Sequence, residues 1–399
     1  MMELEYSGTL EMSDRVRQMS KQGVEIINFT GGTLDDTPLV VKEATKKAIN
    51  DGLGSGLTDS AGLFELREAI STKLARDDSI YFDSMSQIIV TVGAKNAIFM
   101  AIQAAVKAGE EVLILDPFWP SYKPLVSLAG AVPKLISMEK GGNFGVDANK
   151  ILRGIGPKSR MLILNTPHNP TGRVFTKREI EAVCDIAKEK NLILLSDESY
   201  RQAVYEDNRH YSIATFPGMK DRTIIVYSFS KSYTMYGWRV GFAAGNEQII
   251  SRMVRIQSNT VSCPTSFAQN GALAAFKYGE DHVTKSMERY RRLRDITVES
   301  LNQNSGVSCA SPEGGFWVFP NVSKIATPSD SLVKYLLEEN GIGVIPGSTF
   351  GESGLGHLRI WYLHDEEYLK KGLEKLRRAI DTFAGKPQRR ERTLRSTAS

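Results

Sequence analysis

Between residues 87 and 244 the chain alternates short β-rich apolar runs with stretches of helical period, each run bounded by Gly, Pro, Asn or Asp. The runs are 87–92, 111–115, 131–136, 161–164, 192–196, 223–227 and 240–244, and helix patterns such as 94–106 and 177–188 lie between them. Strands interleaved with helices in this way must be buried on both faces, so the fold class is α/β. The expectation is a large domain whose mostly parallel seven-stranded sheet lies between helices. After Asn246 the pattern turns helical, with a long polar helix around 281–303, and then mixed, with elements near 315–319, 329–340, 343–345, 357–362 and 366–383. The first 40 residues add one helix candidate and the apolar run 24–29. These pieces predict a smaller α+β domain built from both chain ends. The expected division is 1–40 and 286–385 in the small domain, 41–285 in the large one, and 386–399 as a disordered basic tail.

Composition narrows the function classes. With 41% hydrophobic and 24% charged residues, collagen-like, coiled-coil and wholly disordered readings are excluded. The tail holds five basic residues (Lys386, Arg389, Arg390, Arg392, Arg395) against Glu391, which accounts for the whole net charge of +4. The body is therefore neutral, which argues against nucleic acid as a partner. No stretch reaches the ~18 apolar residues of a membrane span, and the N-terminus has no signal-peptide pattern. Cys184, Cys263 and Cys309 are odd in number and far apart, without metal-ligand spacing. A reducing, cytoplasmic setting without structural zinc or disulfides is expected.

Ligands of α/β sheets sit beyond the carboxyl ends of the strands, so the residues just after each run carry the chemistry. Gly93-Ala94-Lys95 opens a helix after the first run, a turn able to present backbone N–H groups to an anion. Asn169 lies in a rigid, proline-rich loop, Asn165 to Gly172. Asp197, with Tyr200 three residues on, ends a buried run and needs a cationic partner, either a ring nitrogen or an arginine of the chain. The densest block runs from Ser228 to Phe242. There Ser228, Ser230 and Arg239 have the donors to hold a phosphate, and Lys231 has an amine that desolvation would make nucleophilic towards an aldehyde.

Four blocks occur in order: N-P-T-G (169–172), S-D-E-x-Y (196–200), S-x-S-K-x-Y-x-M-x-G-W-R-x-G-F (228–242) and H-x-R-x-W-Y (357–362). Together they resemble the class I/II aminotransferases of the aspartate aminotransferase superfamily, fold type I enzymes dependent on pyridoxal 5'-phosphate (PLP). The likeness runs from about Ser7 to Phe383. It implies transfer of the α-amino group of an L-amino acid, aspartate-like or otherwise polar, to a 2-oxo acid by a ping-pong route. Lys231 would join the cofactor aldehyde covalently and then move the substrate proton, and Asp197 would pair with the ring nitrogen. Tyr200 and Asn169 would bond the phenolic oxygen, and Trp119 would stack on the ring. Ser228, Ser230, Arg239 and the Gly93-Ala94 turn would hold the phosphate, with Lys95 at a distal substrate carboxylate, at the phosphate or in solvent. Arg359, assisted by Asn169 and the Gly31 backbone, would clamp the substrate α-carboxylate. Homodimers are usual in this family.

The sequence also departs from the family pattern. The family's G-E-P-D-F-x-T-P reads Gly31-Gly32-Thr33-Leu34-Asp35-Asp36-Thr37-Pro38 here, and Leu57 stands where many relatives have a tyrosine that reaches the neighbouring subunit's phosphate. Thr58 is the neighbour expected to compensate. Ser7-x-Thr9 matches a segment that closes over substrate in the aspartate-type branch. These changes at the mouth keep open an alternative in which the same lysine chemistry ends as a lyase, decarboxylase or oxidase reaction.

Overall fold

The computed structural model describes residues 8–32, 35–138 and 144–385. Ser7, part of the Gly31–Pro38 segment and the basic tail lie outside these. Among the described residues twelve strands occur, in chain order β1 (Ile27–Asn28), β2 (Ile88–Thr91), β3 (Glu111–Asp116), β4 (Val132–Ser137), β5 (Ser159–Asn165), β6 (Ile193–Asp197), β7 (Thr223–Ser228), β8 (Gly241–Ala244), β9 (Trp317–Val318), β10 (Ile342–Gly343), β11 (Ile345–Pro346) and β12 (Leu358–Trp361).

The large sheet has seven strands in the order β2-β8-β7-β6-β5-β3-β4. β3 to β7 pair in parallel with their sheet neighbours among β3–β7, while β8 runs antiparallel to both β2 and β7. The two-residue pleat sends alternate side chains to opposite faces, and both are covered. Val112, Ile114, Met161, Ile163, Ile224 and Val226 pack with the helices Gly93–Ala105 and Glu247–Thr260. Leu113, Leu115, Leu162, Leu164 and Leu194 pack with Lys177–Glu189. Ile88, Val90, Ile225 and Tyr227 face a third cluster with the helices Leu39–Asn50, Phe64–Asp78 and Ser266–Tyr278. β4 lies at the sheet edge with a mostly exposed or half-buried pattern, which is where Pro133 is tolerated.

The chain ends meet, since β1 pairs in parallel with β10. Ile27 and Phe29 share one core cluster with residues of 290–380. Two local expectations are corrected. The strand expected over 343–345 is two strands serving two sheets: Ile342–Gly343 pairs with β1, and Ile345–Pro346 pairs antiparallel with β12. The strand expected over 315–319 shrinks to Trp317–Val318, because Gly315 sits at φ +82° and cannot continue a ladder. The long helix, Glu280–Leu301, runs unbroken through the expected boundary at 285/286.

The carboxyl ends of β2, β3, β5, β6 and β7 lie at one edge of the sheet, and β8 enters at the same edge. Ser228 is opposite Gly241, and Thr91 is opposite Gly241 on the other side. Gly241 is required by proximity. A Cβ there would stand 2.6 Å from the Tyr227 carbonyl oxygen and 2.9 Å from the Ala94 amide nitrogen. Both are backbone atoms of the sheet and its helix turn. Gly241→Ala is expected to cost about 1–3 kcal/mol of stability, read as a lower thermal midpoint; an unchanged midpoint would show that this edge can spread.

Candidate active site

At that edge lies a cavity of about 160 Å³. β2 delivers Ala94 and Lys95 to it through the turn at Gly93 (φ +76°), where a Cβ would be 2.5 Å from Arg239 Nη2. β3 leads to Trp119 and Tyr122, β5 to Asn165 and Asn169, and β6 to Asp197, Ser199 and Tyr200. β7 ends in Ser228, and the short helix Phe229–Ser232 brings Ser230 and Lys231. Tyr236 and Arg239 complete the wall on the way into β8.

Lys231 is half-buried on the cavity wall, and its Nζ lies 4.4 Å from the ring centre of Tyr236, 5.3 Å from that of Tyr200 and 5.7 Å from that of Trp361. Burial first, and then Arg359 and Arg239, pull its pKa down to about 7, with Asp197 acting weakly in the other direction. No carboxylate forms an ion pair with it among the described residues.

Asp197 is 5% exposed and accepts only neutral donors: Tyr122 OH to Oδ2 at 2.6 Å, and Ser199 Oγ (2.7 Å) and Ser199 N (3.1 Å) to Oδ1. Burial raises its pKa against these hydrogen bonds. Among the described residues no arginine of the chain takes the partner role that the sequence left open. Arg201 pairs with Glu198 at 3.1 Å and with Asp78, leaving no Arg, Lys or His among the described residues in ion-pair range of Asp197.

Arg239, at φ +54°, donates to the Tyr236 carbonyl (2.8 Å) and approaches Ser230 Oγ (3.5 Å), with no carboxylate partner among the described residues. Ser228 Oγ accepts from Ser230 N. Lys95 Nζ sits 5.2 Å from the Trp119 ring centre, its pKa lowered by burial and by Arg239. Arg359 adjoins the cavity rather than lining it. Its Nη1 donates to Asn169 Oδ1 (3.2 Å), its Nη2 donates to the Thr30 carbonyl (3.0 Å), just before Gly31, and its Nε has no partner among the described residues. Arg359 forms no ion pair among the described residues. Asn165 ties the strand ends together, donating to the Asp197 carbonyl and accepting from Asn169 N.

Sequence reading omits Tyr122, Asn165, Ser199, Tyr236 and Trp361 from the site, although each lies within a few residues of one that it singles out. Their signal is spacing: Tyr122 stands three residues after Trp119, and Tyr236 five after Lys231. Thr58, the expected stand-in for the absent tyrosine, accepts from Gln269 Nε2 (3.1 Å), and Leu57 is 80% exposed.

These residues fit PLP. A buried carboxylate without a cation and a half-buried amine without a counter-ion among the described residues, and an arginine beside two serines and a helix N-terminus, provide uncompensated charge for a ring nitrogen, an aldehyde and a phosphate.

The family "Aminotransferase class I and II" matches residues 24–376. The chain is similar to aromatic-amino-acid aminotransferase 2 of Thermococcus litoralis, 37% identical over 363 residues, covering 90% of this chain and 93% of that one. It is likewise similar to the aspartate aminotransferase of Pyrococcus abyssi, 37% identical over 361 residues, with 89% and 92% covered. Among solved structures, the aspartate aminotransferase of Thermus thermophilus with maleate superposes with a TM-score of 0.89 at 34% identity, over 94% of this chain and 97% of that one. None of these relatives is named a lyase, decarboxylase or oxidase. The chain belongs to the class I and II aminotransferases, PLP-dependent enzymes of fold type I that act on amino acids and 2-oxo acids.

Proposed function

We propose that Lys231 is the amine that anchors the cofactor and then carries the proton between the substrate Cα and the acceptor carbon. Asp197 holds the ring nitrogen, Tyr200 and Asn169 hold the phenolic oxygen, and Trp119 covers one ring face. Ser228, Ser230, Arg239 and the Gly93-Ala94 turn hold the phosphate. Arg359, with Asn169 and the Gly31 backbone, holds the substrate α-carboxylate. Bound in this way, PLP supplies the aldehyde and the electron sink, and the protein supplies binding, orientation and charge.

The observation that carries this reading is the half-buried Lys231 amine. A lysine in water keeps its proton near pH 10.4 and is a poor nucleophile. The rings of Tyr236, Tyr200 and Trp361 crowd Nζ and reduce its hydration, and the nearby guanidinium groups disfavour a second positive charge. Near neutrality the amine is therefore available both to attack an aldehyde and to accept a proton. Arg359 offers a planar, permanently charged fork whose Nε lacks a partner, suited to a carboxylate.

For the substrate side chain we favour an acidic, aspartate-like class, with Lys95 on the cavity wall as the cation for a distal carboxylate. Lys95 beside the phosphate is the alternative. The aromatic walls around Lys231 favour a second reading, aromatic amino acids. We further read the protein as a cytoplasmic homodimer and the chain as a large domain, 41–285, and a smaller one from 1–40 and 286–385, with the boundary inside the helix Glu280–Leu301. The exposed apolar side chains of Leu39 (70%) and Leu57 (80%) offer surface for a dimer contact.

Borohydride reduction of the yellow protein followed by peptide mapping should place the reduced adduct on Lys231, and an adduct elsewhere would overturn the assignment. Mixing the same protein with single amino acids should convert the cofactor spectrum with aspartate and glutamate first. Conversion by aromatic amino acids alone would favour the second reading. Light scattering should give twice the chain mass, and a monomer at micromolar concentration would count against the dimer.

The amine also makes a prediction about the cofactor-free protein. Folding lowers the Lys231 pKa from 10.5 to about 7. Between those values the unfolded chain binds a proton that the folded chain does not, so stability rises with pH across this window and the full penalty is present below it. Lys231→Met should be a few kcal/mol more stable than wild type at pH 7 by urea unfolding, with the gap closing towards pH 10.5. A gap independent of pH would contradict a desolvated amine.

A further inference from the structure

Tyr122 opens the helix Tyr122–Leu128, three residues after Trp119, and is 2% exposed. Its ring meets Trp119 edge to face, with centroids 5.3 Å apart and planes at 86°. Its hydroxyl donates to Asp197 Oδ2 at 2.6 Å. One side chain thus touches both the indole proposed to cover the cofactor ring and the acid proposed to hold its nitrogen.

The groups facing the Asp197 carboxylate are few. Tyr122 comes from its helix and Lys231 from the helix Phe229–Ser232, while Glu198, Ser199 and Tyr200 come from the segment of Asp197 itself. Glu198 is occupied by Arg201, His210, Ser196 and Ser212. The Ser199 donors move with Asp197, being two residues away on the same loop. Tyr122 is anchored 75 residues earlier in the chain, in the core cluster that also holds Val112 and Ile114 of β3 and Met161 and Ile163 of β5. It is therefore the hydrogen bond that fixes the carboxylate relative to the cavity wall. A hydroxyl that donates to a carboxylate also favours the charged form over the neutral acid.

We propose that Tyr122 is a positioning residue for the cofactor: its hydroxyl aims Asp197 Oδ2 and keeps that carboxylate charged before the ring nitrogen arrives. The proposal rests on the reading of Asp197 as the partner of that nitrogen, and the experiment separates the two.

Cofactor-free wild type and Tyr122→Phe are titrated with PLP between pH 5 and 9, with affinity read by fluorescence quenching and stability read separately by urea unfolding. The substitution removes one oxygen and retains the ring against Trp119. Losing a hydrogen bond to a charged group should weaken binding roughly tenfold to hundredfold. A carboxyl charged beforehand receives a protonated ring nitrogen with no further proton exchanged, whereas a neutral one must first release its proton, so affinity falls below the carboxyl's own pKa. The break in the plot of log affinity against pH should therefore lie higher in Tyr122→Phe than in wild type. Tyr122→His, which keeps a ring with a donor, should recover part of the affinity, and it also serves if Tyr122→Phe does not fold.

The same substitution is then made in Asp197→Ala. If Tyr122 acts through Asp197, the loss caused by Tyr122→Phe disappears in that background. An equal loss in both backgrounds, or an unshifted break, would overturn the proposal and leave Tyr122 a packing residue. Full affinity in Asp197→Ala alone would instead overturn the assignment of Asp197.

Discussion

A largely desolvated lysine amine, with no carboxylate paired to it among the described residues, is the constraint on which this structure turns. An isolated buried charge is too costly to persist, so the group either finds a counter-ion or gives up its proton. The fold withholds the counter-ion. Arg359 and Arg239 add positive potential, and the carboxylate that would neutralise them, Asp197, is occupied by Tyr122 and Ser199. Of the charged groups near Lys231, the two arginines lower its proton affinity and only Asp197 raises it. The aromatic rings lend attraction to the protonated form but also displace solvent, and burial heads the causes of the shift.

Holding unpaired charges in place requires a frame that does not relax around them. The seven-stranded sheet provides it because both of its faces are packed, so a strand end cannot drift without disturbing core on two sides. Asn165 joins the ends of β5 and β6 by a side-chain bond to the Asp197 carbonyl, and Gly241 lets β8 lie against the Gly93-Ala94 turn. Arg239 keeps a left-handed backbone, which costs a long side chain about 1–3 kcal/mol. That strain is held by β8 on one side and by the Lys231 block on the other. The site is thus built into the edge of a rigid element, with Arg359 of β12 reaching it through Asn169 and the Thr30 carbonyl.

Much of this was legible in the sequence because burial on both faces leaves a compositional trace. The runs 111–115, 161–164, 192–196 and 223–227 could hardly serve anywhere but in a covered parallel sheet, and a polar residue placed at the end of such a run needs a reason to be there. The block from Ser228 to Phe242 was legible on the same ground: a lysine and an arginine between two buried strands lack an ordinary surface explanation. The small domain was harder, because its strands are two to four residues long and are set by pairing across distant segments. Ile342–Gly343 and Ile345–Pro346 read as one run but serve two sheets. Tyr122 was missed for a different cause. A tyrosine at a helix start reads as packing, and only the distance from its hydroxyl to Asp197 gives it another meaning. The Leu57 position shows the opposite limit: a departure was visible, but Leu57 is exposed, Thr58 is bonded to Gln269, and neither lines the cavity.

Asp197 and Glu198 show how two adjacent acids at one strand end are assigned different work. Both are buried, so both begin with the same desolvation cost. Burial alone would raise Glu198, but His210, Arg201 and Ser212 outweigh it and hold the carboxyl at about 2. Glu198 is therefore a fixed negative charge, already satisfied, and its arginine continues to Asp78 on the helix Phe64–Asp78. Asp197 points to the cavity and receives hydroxyl and amide donors only, so its desolvation cost is left partly uncompensated. A cationic ring nitrogen would recover the uncompensated part on binding, and it is recoverable only because the arginine has been committed one residue away. Had Arg201 reached Asp197 instead, the chain would fold with a quieter core and a cavity with no electrostatic reason to take a cofactor.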